Sequence, residues 1–102
     1  MTKIPQYKEK NTWNGWKITF EFSLVGAEIL IQFKPSPQGR AVFEYSTSDG
    51  TLIIEDMSVS MTPRVLDYPT QLYWTDIRIT QADGSIHNYA MQQIKIIPIV
   101  SN

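Results

Sequence analysis

The segment Trp16-Lys17-Ile18-Thr19-Phe20-Glu21-Phe22-Ser23 decides how this chain folds. Four large apolar residues alternate with four polar ones. A period of two is the signature of a strand with one buried face and one wet face. Leu24-Val25-Gly26-Ala27 then turns the chain. Ile29, Ile31 and Phe33 resume the alternation against Glu28, Leu30, Gln32 and Lys34. Pro35-Ser36-Pro37-Gln38-Gly39 reads as a loop, and Ala41 to Tyr45 as the next strand, with Ala41, Phe43 and Tyr45 on one side.

The same reading extends to the end of the sequence. Ser48-Asp49-Gly50 is a hairpin signal, because Gly reaches positive φ and Asp tolerates it. Thr51 to Glu55 and Met57 to Met61 read as one or two strands, interrupted at Glu55-Asp56. Pro63 to Pro69 has the weakest pattern and is expected to cross between sheets. Leu72 to Thr80 places Tyr73, Thr75, Ile77 and Ile79 on one face. Ala82-Asp83-Gly84-Ser85 is a second hairpin signal; Ile86 to Met91 returns from it, and Ile94 to Val100 closes the chain. No window carries a helical apolar stripe.

Composition agrees with the pattern. Ile, Val and Thr number 27 against 9 for Ala and Leu, a bias toward strands over helices. The expected fold class is all-β: a two-sheet antiparallel sandwich of immunoglobulin-like architecture, with about seven to nine strands. A Greek-key barrel is the second choice. The 102 residues are expected to form a single domain over 1–102, with 1–10 a loosely ordered N-terminal arm. Cysteine is absent, which excludes disulfides, thiolate-bound metal and thiol catalysis. A net charge of −1 argues against a nucleic-acid or membrane partner. No signal peptide is visible at the N-terminus, and no apolar run is long enough to span a bilayer.

Little here points to catalysis. His87, the single histidine, sits on the returning strand beside Ser85 and Tyr89, with no marked nucleophile. The two Asp-Gly pairs lack the further acids of a calcium loop. Glu55 and Asp56 are neighbours that a strand points to opposite faces, unlike a glycosidase pair. No cofactor and no metal is expected.

The aromatic and apolar residues are more informative. Trp16 belongs to the apolar face of its strand and is expected in the core. Trp13 precedes that strand, and Trp74 alternates opposite to Ile77 and Ile79, so both are candidates for an exposed contact. The final strand is apolar on both faces, with Pro98 marking an edge or a bulge. Trp13, Trp74, Ile97 and Ile99 are therefore the candidate interface residues.

Gly15-Trp16-Lys17-Ile18-Thr19-Phe20, followed by Val25-Gly26-Ala27-Glu28 and a strand ending at Lys34, resembles the opening of small phage domains. In those, a polar run with Trp and Gly leads into a strand, a turn and a second strand ending in a basic residue. Tyr73-Trp74-Thr75-Asp76-Ile77-Arg78-Ile79-Thr80-Gln81-Ala82-Asp83-Gly84 is similar to their late hairpin, and Ile94-Lys95-Ile96 through Val100-Ser101-Asn102 to their closing strand. The family is the immunoglobulin-like β-sandwich of tailed-phage baseplate and tail-fibre proteins, including the N-terminal domain of baseplate upper proteins. The resemblance runs over residues 11 to 102. Where the family has Gly before the last strand, Gln92 stands here, so the family's tight bend or bulge is not carried over.

What the resemblance implies is a non-enzymatic structural module of a phage or prophage tail or baseplate. Its expected partners are other phage structural proteins or a second copy of itself. Its place is the virion tail if phage-encoded and the cytoplasm otherwise. The alternative is a small carbohydrate-binding sandwich whose exposed aromatics stack on a cell-surface glycan.

Overall fold

The alternation at residues 16–23 is reproduced in burial. Trp16, Ile18, Phe20 and Phe22 are half-buried, and Lys17, Thr19, Glu21 and Ser23 are exposed. A computed structural model describes residues 4–99. Its strands are β1 (Gln6–Lys8), β2 (Thr12–Trp13), β3 (Lys17–Thr19), β4 (Glu28–Lys34), β5 (Phe43–Ser46), β6 (Leu52–Glu55), β7 (Ser58–Met61), β8 (Arg64–Val65), β9 (Leu72–Thr80) and β10 (Ile86–Ile97). No helix occurs among the described residues. The fold is all-β and sandwich-like. One sheet has the order β1-β10-β9-β4-β5, a second β3-β7-β6, and β2 and β8 form a two-stranded ribbon.

The core lies between the two larger sheets. Ile29, Ile31 and Phe33 of β4 and Tyr73, Ile77 and Ile79 of β9 face Leu52 of β6 and Val59 and Met61 of β7 in one cluster. On β9 the buried residues fall at every second position, as the sequence pattern requires. At the start of that strand the Tyr73 hydroxyl donates to the carbonyl oxygen of Pro69 at 2.6 Å. This bond fastens the crossing connection to the sheet.

Several elements differ from the sequence expectation. Residues 6–8, expected in a loose arm, form β1, and Tyr7 packs on Trp13 with ring centroids 5.0 Å apart. β1 runs parallel to β10, the one departure from antiparallel pairing. Ten strands are described rather than seven to nine; four of them, β1, β2, β3 and β8, have three residues or fewer. The Asp49-Gly50 turn joins β5 to β6, which lie in different sheets, so it is a crossing turn and not a hairpin. The hairpin between β6 and β7 turns instead at Asp56, which takes a φ of 54° without glycine. Met1 to Lys3 of the arm and Val100 to Asn102 of the closing motif lie outside the described residues.

The last two expected strands are one. β10 runs from Ile86 to Ile97 along β9, with a register shift between Met91 and Ile94. That bulge sits at Gln92 and Gln93, where no glycine was available to suggest it. Neither glutamine takes a positive φ, so the bulge needs none of glycine's freedom.

Candidate functional site

Of the four residues picked from sequence, Trp13 is corrected most. It is only 6% exposed and lies inside the core. Its ring is surrounded by Tyr7, Trp16, Phe33 and Tyr45, with centroids 5.0 to 6.2 Å away. The physical reason is β2, whose pairing with β8 swings Trp13 inward and leaves Thr12 outside. Trp74 does face away from the core, next to Lys34 of β4, but it is half-buried. Ile97 is half-buried at the end of β10, where β1 pairs with the strand; Ile99 is exposed beyond it. These four do not form one surface.

The open surface lies at the other end of the same strand. β1 covers β10 only at Lys95, Ile96 and Ile97. From Ile86 to Met91, β10 has β9 on one side and, among the described residues, no strand on the other. The hydrogen-bonding direction follows from the hairpin. The N–H of Gln81 donates to the oxygen of Ser85 at 2.8 Å, closing the turn in which Gly84 takes a φ of 90°. Alternation from that pair directs His87, Tyr89 and Met91 toward β9, and turns the N–H and C=O of Ile86, Asn88 and Ala90 outward.

The other sheet edges are guarded. β5 carries Glu44, and Arg64 donates from Nη1 to the Glu44 carbonyl oxygen at 2.8 Å. The same guanidinium lies 4.0 Å over the Tyr45 ring. β6 carries Glu55, and β3 is three residues long with Lys17 at its head. Short strands and charges are the usual protection of an edge. The stretch Ile86-His87-Asn88-Tyr89-Ala90-Met91 has neither charge nor proline. The run Ile94 to Val100 is the more apolar, and the signal that marks this edge in the sequence is the absence of charge from Ile86 to Ile94.

Behind this edge the two sheets do not close. His87 and Tyr89 point toward the second sheet, where they meet Phe22 and Phe20 at 6.1 and 6.3 Å between centroids. Phe20 and Phe22 also touch each other at 5.4 Å. Tyr89 remains 42% exposed and Ile86 59%. Alongside, Trp16, Ile18 and Met91 line a groove of about 470 Å³ between β3 and β10, with Lys17 as its charged residue. Among the described residues no three His, Asp or Glu side chains gather as a metal site. What this arrangement offers is strand-edge hydrogen bonding beside a half-covered aromatic row, the two requirements of strand addition. Compared with protein-family models, with curated proteins and with solved structures, the chain matches none.

Proposed function

We propose that this protein is a non-enzymatic assembly module that works by protein–protein contact through the open side of its sandwich. The carrying observation is the uncharged, unpaired edge from Ile86 to Met91, backed by Phe20, Phe22, His87 and Tyr89. An extended segment placed there would satisfy the outward N–H and C=O groups and cover aromatic surface in one step.

The finer description of the fold belongs to the same reading. In an immunoglobulin sandwich of variable type, the last two strands pair with the third and its neighbour in one sheet, and the second strand pairs with the later ones in the other. The order β10-β9-β4-β5 beside β3-β7-β6 supports that assignment. So does the bond from Tyr73 to Pro69 at the start of β9, the position of the tyrosine corner. The ordered motifs that resemble phage baseplate and tail-fibre sandwiches supply the setting, a virion tail or baseplate, with other structural proteins as partners.

The test is co-purification with the products of neighbouring genes, using the chain and its Ala90→Pro variant. Proline there removes an outward N–H that β9 does not use. The expected result is a stable complex with a tail or baseplate protein that Ala90→Pro abolishes. A complex unaffected by the variant would refute the role of the edge. Binding to a glycan panel, with no protein partner, would favour the carbohydrate module instead.

A further inference from the structure

We infer that the occupant of the β10 edge is a second copy of this chain, paired antiparallel about a two-fold axis at Asn88. The inference rests on the assembly reading above and names its partner. The edge matches itself in length. It is bounded by the Gly84 turn at one end and by the Gln92 bulge at the other. A two-fold at Asn88 sets one boundary of each copy against the other boundary of its partner.

The match extends to hydrogen bonding and to side chains. Asn88 has its N–H and C=O outward, so it pairs with itself across the axis, and Ile86 pairs with Ala90 on either side. Between these, His87 falls opposite Tyr89 on the inner face, two aromatic rings in the closer type of cross-strand pair. The stretch from Ile86 to Met91 itself brings no charge to the ladder. The charges just outside it are complementary. The hairpin tip with Asp83 lies toward the end of the ladder where the partner's Lys95 stands, and does so twice by symmetry. The product is one continuous sheet with eight strands side by side, β1 of each copy remaining on the Lys95–Ile97 end of its own β10, and an interface of the isologous kind that closes at two copies.

Sedimentation equilibrium over a wide concentration range tests this, with three variants. The chain is expected at twice its 11.7 kDa mass. Asn88→Asp sets two carboxylates face to face across the axis, while within one chain it strengthens the contact from Arg78 Nε, now 3.3 Å from the Asn88 side-chain oxygen. It is expected to raise the dimer dissociation constant by about tenfold or more while thermal unfolding of the monomer is kept. Asn88→Cys, in a chain with no other cysteine, is expected to form a disulfide-linked dimer on mild oxidation. Ile53→Cys, exposed on the far sheet, is expected to pair like the native chain but to form no disulfide link. A monomer at all concentrations overturns the inference. A dimer indifferent to Asn88→Asp and no better crosslinked through Asn88→Cys than through Ile53→Cys overturns it as well. If the chain is monomeric but Ala90→Pro still abolishes binding to a tail protein, only the second-copy inference falls. If neither self-pairing nor that binding depends on the edge, the assembly reading falls with it.

Discussion

Tyr73 and Tyr45 are both buried tyrosines with opposite hydrogen-bonding states. The Tyr73 hydroxyl donates to Pro69 at 2.6 Å, and the Tyr45 hydroxyl has no partner. The two rings have different consequences for stability, because a satisfied polar group stabilises and an unsatisfied one costs desolvation.

Tyr73→Phe is expected to destabilise the fold by about 1–2 kcal/mol, since it leaves the Pro69 carbonyl without its donor and loosens the entry to β9. Urea unfolding followed by tryptophan fluorescence measures it. A loss below a few tenths of a kcal/mol would show that this bond does not hold the connection.

Tyr45→Phe is expected to leave stability unchanged or raise it by up to about 1 kcal/mol, because it removes only the unpaired oxygen. Thr75→Val should behave likewise; Thr75 is buried and its hydroxyl is also unpartnered. A clear destabilisation by either would mean that the hydroxyl has a partner, such as a bound water.

Burial pushes the Tyr45 phenol from 10.0 up to about 12, against the opposing pull of Arg64, and burial also raises Tyr73. A raised folded-state value favours the protonated, folded form. The stability linked to Tyr45 is therefore complete below pH 10 and is lost as pH rises from about 10 toward 12. Phenolate absorbance should rise together with unfolding for the native chain, and Tyr45→Phe should move that transition to higher pH.

Asp49 and Asp83 act at the acid end. Hydrogen bonds from the side chain and the backbone N–H of Thr51 hold Asp49 below its usual 3.8, and those of Ser85 do the same for Asp83. Both groups are solvent-exposed, so the effect is small. Its sign is fixed: the contribution is present above about pH 3.8 and is lost as pH falls through the lowered folded values. Asp49→Asn and Asp83→Asn should flatten the acid limb of a stability-against-pH curve. A limb as steep as the native one in the double variant would refute this.

Gly15→Ala should be costly. Gly15 has a φ of 74°, and an added methyl would overlap the Met61 side chain. Forcing a methyl into a packed site costs roughly 1–3 kcal/mol, with backbone strain added. A thermal midpoint equal to the native one would show that Met61 moves aside freely.

Period-two alternation made most of the strands legible, because burial of one sheet face is written directly into residue order. It placed β4 and β9 and the inner faces of both. Pairing across the chain was not legible. Nothing local in Gln6-Tyr7-Lys8 reveals a partner at residues 95–97, and the turn at Asp56 carries no glycine to mark it. The burial of Trp13 is not legible for the same reason, since it depends on rings from four separate segments. The alternation from Trp16 to Phe22 does state which side is apolar. Its incomplete cover depends on where the second sheet ends, which residue order does not state.

The pairing of β1 with the end of β10 joins the most distant parts of the described chain. Contacts so far apart in sequence make folding slow, because the intervening chain must be ordered before they form. During synthesis β9 exists before β10 does, so its own edge is bare while the ribosome makes the next dozen residues. Only when Ile94 and Ile96 have emerged can the core be covered and Tyr7 seated. The latest of the described strands is thus the one that completes the earliest, and the sandwich closes as a late, cooperative event rather than segment by segment.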